Sequence, residues 1–223
     1  HRDNCRKMLG LVRHPTPTGS AETETLGQSA ACRIERVSVP VRDGVLARGL
    51  LFTPETNAKK PVVIVCGEAD TWPEKLTGMD SSAKSPEWLA EVLARGAMVY
   101  VLQSVERLAD HAYCEKIRGF DRRKILYRLG YLVGRTMTGL DVEDTLAAVD
   151  YLAARSDVDP QRIAIVGLGQ GGMTALYTAA SIAGFERLWS PITFNVGTAA
   201  TRSRLIVACR GSCWSSAMPR WRL

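Results

Sequence analysis

The chain has 223 residues and a formal charge of +6, a length that fits one ordinary domain or most of a larger one. Its 46% hydrophobic and 23% charged residues are the balance of a globular fold, which excludes collagen, coiled coil and wholesale disorder. No apolar run approaches the ~20 residues that a membrane-spanning helix needs.

The charge is unevenly placed. Between Ile182 and Leu223 stand six Arg, no Lys and one acid, Glu186, so five of the six net charges lie in this tail. Residues 1–181 hold 23 basic and 22 acidic side chains and are nearly neutral. A nucleic-acid footprint needs a basic face on the folded body, and none is evident. The six cysteines form no C-x-x-C pair, and Cys209 and Cys213 have no nearby His, so zinc ligation is not indicated. The chain begins at His1 and reads as a fragment whose N-terminus lies upstream. Cytoplasmic and secreted locations both stay open.

In chain order, Cys5–Val12 reads as a short helix and Pro15–Ser29 as a linker rich in Thr, Pro, Gly and Ser. Residues 1–30 are thus an N-terminal helix and linker. Arg33–Pro40 alternates apolar and polar residues, the period of a half-buried strand. Asp43-Gly44 is a hairpin turn signal, and Val45–Thr53 is the second strand of the hairpin. Pro61–Cys66 is a continuous β-branched run suited to a strand buried on both faces. Gly67–Asp80 reads as a loop. A helix follows, with Ser85 as N-cap and Pro86 in its first position, and it ends near Gly96. Ala97–Leu102 is the next buried strand. Arg122–Val133 reads as helical. Leu140–Ala154 is predicted as an amphipathic helix with Leu140, Thr145, Ala148, Val149 and Leu152 on one face. Asp157–Pro160 is a turn and Arg162–Val166 a third buried strand. Gly167–Gly172 is a glycine-rich turn, and Met173–Ile182 a helix. The alternation predicts a parallel sheet with right-handed crossovers.

After Ile182 the periodicity is lost, and three of the five Trp appear. Residues 182–223 are read either as an atypical basic extension or as the product of a reading-frame change near residue 181. Without further parallel strands, Arg162–Val166 is expected to be left as an apolar sheet edge.

The turn Gly167-Leu168-Gly169-Gln170-Gly171-Gly172 admits two readings. It satisfies G-x-G-x-x-G between a strand and a helix, the dinucleotide fingerprint, whose helix N-terminus would hold a pyrophosphate. That site normally uses the first βα turn of its domain and an acid about 20 residues later, and neither condition is met. The turn also fits the nucleophile elbow G-x-S-x-G, with Gly167 and Gly171 in place and Gly169 where serine should stand. Glycine keeps the strained backbone of the elbow and supplies no nucleophile.

The stretches 33–54, 61–67, 134–152 and 157–172, continuing into 175–180, favour the elbow. With Val-Asp-Pro-x-Arg-Ile-Ala-Ile-Val-Gly before the elbow, the chain resembles the α/β-hydrolase superfamily. Within it, the chain resembles acetyl xylan esterase-like and dienelactone hydrolase-like bacterial proteins. The resemblance covers residues 31–181 and implies an α/β-hydrolase-like fold. In that fold a mostly parallel sheet opens with an N-terminal antiparallel hairpin, and helices cover both faces; here it would be incomplete at the C-terminus. It implies hydrolysis of carboxylic esters by a Ser–Asp–His triad, no cofactor, and a small ester or an acylated carbohydrate as ligand.

Carried over position by position, the nucleophile place falls on Gly169. The oxyanion donors fall on the backbone of Gln170 and of Gly67 or Glu68, and the elbow glycines are Gly167, Gly171 and Gly172. The acid and base should follow residue 181, where the sequence has no Asp and no His. The histidines are His1, His14 and His111. Asp110-His111 with Cys114 or Cys66, and Ser104, are the other candidates for a nucleophile and base. Asp141, Glu143 and Asp144 are read as charges at a helix N-terminus, and Arg135 as a loop-anchoring arginine. The rival readings of function are a non-catalytic binding or structural domain and a dinucleotide-binding domain.

Overall fold

The computed structural model describes residues 2–11, 20–29, 31–42, 44–56, 58–68, 71–80, 85–105, 122–183, 185–189 and 205–210. His1, His14, Asp110, His111 and Cys114 lie outside the described residues.

The strands are β1 (Glu22–Gln28), β2 (Cys32–Arg42), β3 (Val45–Pro54), β4 (Lys60–Cys66), β5 (Met98–Leu102), β6 (Val158–Leu168), β7 (Phe185–Trp189) and β8 (Leu205–Arg210). The described helices are α1 (Arg2–Leu9), α2 (Pro73–Thr77), α3 (Glu87–Ala94), α4 (Arg122–Leu132), α5 (Met137–Ala154) and α6 (Gln170–Ser181). One eight-stranded sheet runs β1-β2-β3-β5-β4-β6-β8-β7. Its centre is parallel, with β4 between β5 and β6. Antiparallel strands flank it on both sides.

Sequence and burial agree best where the apolar signal is continuous. Every residue of β4 is buried, as is every residue of β5, because helices cover both faces. On one face Val37, Val39, Ile64, Tyr100 and Ile165 pack with Leu146, Val149 and Ala175 of α5 and α6. On the other, Leu50, Val63, Val65 and Val99 pack with Leu89 and Val92 of α3. The helix α1 is tied to the first face: the Thr136 hydroxyl donates to the Leu9 carbonyl at 3.0 Å, and Arg6 donates to the Ser181 carbonyl at 3.2 Å.

Several expectations need correction. Part of the segment read as a linker is the strand β1. Its sequence ETETLGQ is mostly exposed, so backbone pairing with β2 holds it and no apolar period announces it. The loop after β4 contains the short helix α2, started by Pro73 and closed by Gly78 at φ 71°. Pro86 is the N-cap of α3 and not its first residue; an extended φ −65°, ψ 142° suits proline in that place. Residues 158–160, read as part of a turn, already belong to β6.

The helix α5 starts a turn earlier than expected, at Met137, capped by the Thr136 hydroxyl accepting from the Gly139 amide at 2.9 Å. It is buried all round from Asp141 to Val149 and is not amphipathic, since it packs against β2, β3, β6 and α6. Asp141, Glu143 and Asp144 are therefore interior residues and not terminal charges. The strand β6 is not a bare edge either: β8 pairs with it antiparallel from Ala164↔Cys209 to Leu168↔Leu205.

Candidate active site

The parallel strands β4 and β6 end side by side, with Cys66 opposite Gly167. The loop that leaves β4 and the turn that leaves β6 are thereby held together at the carboxyl edge of the sheet, where open α/β sheets place their sites. Gly67 and Glu68 follow β4, and Gly167 to Gly172 follow β6 and enter α6. Ser104, just past β5, stands on the same edge, next to Val105, whose amide donates to Asp141 Oδ1 at 2.9 Å.

The turn is glycine-rich because backbone fills the space. A Cβ on Gly171 would overlap the carbonyl oxygens of Cys66 and Gly67. A Cβ on Gly167 would overlap the Gly171 carbonyl and lie 2.6 Å from the Gly172 amide nitrogen. These are main-chain atoms of a strand end and a helix start, and they cannot turn aside. Gly172 is buried in the first turn of α6.

Gly169 stands at φ 53°, ψ −117°, a region that side-chain-bearing residues enter only at a cost of about 1–3 kcal/mol. A nucleophile elbow likewise calls for a strained backbone at its central residue. What occupies the place of its absent side chain is the Glu68 carboxylate. A Cβ built on Gly169 would fall within bonding distance of Glu68 Oε1 and lie 3.0 Å from Oε2. The Gln170 amide, the expected oxyanion donor, donates to Glu68 Oε2 at 3.3 Å. Glu68 was expected to contribute its backbone; here its side chain enters the site. G-x-G-x-G shows only that a side chain is missing, and nothing local in the sequence says which neighbour fills the gap.

Behind the elbow lies a buried polar layer on α5. The Thr145 hydroxyl donates to the Asp141 carbonyl at 2.7 Å and hydrogen-bonds the Cys66 thiol. Cys66 is almost wholly buried. Burial pushes its thiol up to about 12, against the smaller opposite pull of Thr145. The thiol stays protonated at neutral pH, so Cys66 is a small core residue and no nucleophile.

Glu143, with 4% of its side chain exposed, bridges Arg42 of β2 and Arg135, the residue before the α5 cap. Arg135 is thus an anchor of the kind its sequence context indicates. Asp144 beside it is pushed up to about 8, first by burial and then by the Asp141 carboxylate, with Arg42 pulling the other way and Glu143 adding to the rise. The spacing Asp141-x-Glu143-Asp144 was visible in the sequence. The early start of α5 carries those positions past its first turn, and all three are buried. Among the described residues no group of three His, Cys, Asp or Glu is arranged to hold a metal ion, and no helix is long and apolar enough to cross a membrane.

Residues 132–198 match the prolyl oligopeptidase family. YtaP of Bacillus subtilis, a protein named as a hydrolase, is 32% identical over 114 residues, 51% of this chain and 36% of YtaP. A Bacteroides fragilis protein named as an acetyl xylan esterase superposes with a TM-score of 0.64 at 12% identity, over 81% of this chain and 49% of that one. The acetyl xylan esterase of a Paenibacillus species gives 0.52 at 18% identity, over 80% and 53%. The fold is α/β-hydrolase-like. The chain spans about half the length of these solved structures and 36% of YtaP.

Proposed function

We propose that this chain is an esterase-type α/β-hydrolase domain that keeps the elbow and its oxyanion donor but has lost the serine route to ester hydrolysis. The observation that carries the reading is Gly169, which holds the elbow backbone at φ 53°, ψ −117° with no hydroxyl to attack an acyl carbon. A serine mechanism also needs a base to take the hydroxyl proton. The sequence after the elbow supplies no His and no Asp beyond residue 181. The ligand class that fits such a cleft is a neutral carboxylic ester or an acylated carbohydrate, by analogy with the esterases that share the fold. We take the body to be residues 31–181 joined by β1; the family match to residue 198 and the pairing of β8 with β6 support its continuing past residue 181.

The dinucleotide reading is the weaker one. A pyrophosphate would have to settle at the N-terminus of α6, where the negative Glu68 side chain already bonds the first helical amide. The test is a fluorophosphonate probe together with p-nitrophenyl acetate turnover on the purified chain. No labelling and no turnover above a protein control are expected. Stoichiometric labelling of any serine overturns the reading.

A further inference from the structure

We propose that Glu68 determines what the elbow accepts: its carboxylate is a built-in occupant that takes the oxyanion donor and keeps free carboxylates out. The inference rests on the hydrolase reading of the turn. It does not depend on whether the chain turns over esters.

Three observations carry it. Glu68 Oε1 lies within bonding distance of the point where a Cβ on residue 169 would stand. The carboxylate therefore fills the volume that a nucleophile's side chain occupies in a complete elbow. Glu68 Oε2 accepts from the Gln170 amide at 3.3 Å, so the donor that would stabilise a developing oxyanion already faces an anion. The place is also reserved by the fold. Gly67, the residue before Glu68, is packed against Gly171 through its carbonyl, and the Thr71 amide donates to the Glu68 carbonyl at 3.0 Å. The backbone that carries Glu68 is thus fixed beside the turn, while the side chain itself is exposed and free to swing away.

The consequence is selectivity by charge. A carboxylate ligand, the acid product of ester cleavage included, would have to displace Glu68 from the Gln170 amide and approach a like charge. A neutral ester or a sugar hydroxyl meets no such repulsion, and a hydroxyl can donate to Glu68 Oε1. Loss of the nucleophile side chain and occupation by Glu68 are two sides of one change, since any side chain at 169 must evict the carboxylate.

The experiment follows the Gln170 backbone amide by nitrogen-15 NMR in wild-type chain, Glu68→Gln and Glu68→Ala, each titrated with sodium acetate. Glu68 is exposed, so both variants should fold, and their spectra report on that directly. The Gln170 resonance should move in both variants before any acetate is added, because its acceptor is altered or gone. Acetate should then give a saturable shift at Gln170 in Glu68→Ala and bind it about tenfold or more tightly than wild type, the scale of one charge-assisted hydrogen bond. An unmoved Gln170 resonance in Glu68→Ala overturns the contact. Equal acetate binding by wild type and Glu68→Ala, or no binding by either, overturns the selectivity. Probe labelling of a serine would remove the proposed loss of catalysis and leave these results untouched, so the two failures are distinguishable.

Discussion

Replacing Gly171 with alanine puts a methyl group against the carbonyl oxygens of Cys66 and Gly67. Cys66 ends β4, which is hydrogen-bonded to β5 on one side and β6 on the other, and Gly67 follows it directly. The methyl can be admitted only if α6 lifts from the sheet. Overpacking of this kind costs about 1–3 kcal/mol, and immovable main-chain neighbours place Gly171→Ala at the upper end. Alanine's higher helix propensity offsets ~1 kcal/mol at most. A net loss of about 2 kcal/mol is expected, a substantial part of the roughly 5–15 kcal/mol that holds an ordinary domain together. The assay is equilibrium urea unfolding, read as a shift of midpoint at constant slope. Gly27→Ala is the matched control, because a Cβ there meets nothing within 4 Å and its effect should stay within about 0.5 kcal/mol. If Gly171→Ala unfolds at the same urea concentration as Gly27→Ala, the strand end and the helix start are not in contact as described.

Asp144 titrates about 8 in the folded chain against 3.8 for an ordinary aspartate. Its contribution to stability is therefore complete in acid and is lost as pH rises between those values. Asp144→Asn should flatten that decline and stabilise the chain by on the order of a few kcal/mol at pH 8, with little effect near pH 4. Thermal melts of both proteins across this range, with equal slopes in pH, would refute the burial of the carboxyl. Arg42→Met combined with Arg135→Met leaves Glu143 buried without its two cations. It should cost about 3–5 kcal/mol, whereas Arg36→Met, at a half-exposed pair with Glu24 and Glu74, should cost under about 1 kcal/mol. Equal costs in urea unfolding would show the Glu143 bridge to be no stronger than a surface pair. Gly169→Ser should not restore hydrolysis of p-nitrophenyl acetate by this chain, since no His follows the elbow in it to take the hydroxyl proton. A pre-steady-state burst from that variant would reveal a base elsewhere in the chain.

What the sequence made legible follows from how far each signal reaches. The buried strands β4 and β5 and the start of α6 are announced by local runs, and the fold class by their alternation. The glycine-rich turn was readable because its glycines stand at a recognisable spacing within six residues. Glu68 in the elbow was not, because 102 positions separate it from Gln170 and no local pattern encodes that approach. The interior placement of Asp141, Glu143 and Asp144 was hidden by a cap at Thr136, one turn ahead of the apolar pattern. The strand β1 was missed because its stability is borrowed from β2 through the main chain, where side-chain periodicity is silent.

The pairing of Cys66 with Gly167 has a consequence for the order in which the chain assembles. The strands β4 and β5 meet across a short crossover, and the β2–β3 hairpin closes over a turn of two residues between Arg42 and Val45. The partnership of β4 with β6 must instead close a loop of about a hundred residues, and long-range pairings of this kind slow folding. The elbow exists only once that closure is made, so its geometry should mature after the hairpin and the β4–β5 pair. Pulse-labelled hydrogen exchange during refolding should find the Ile163 and Ile165 amides protected later than those of Val37 and Val39. Simultaneous protection would mean that the elbow forms with the first collapse of the sheet.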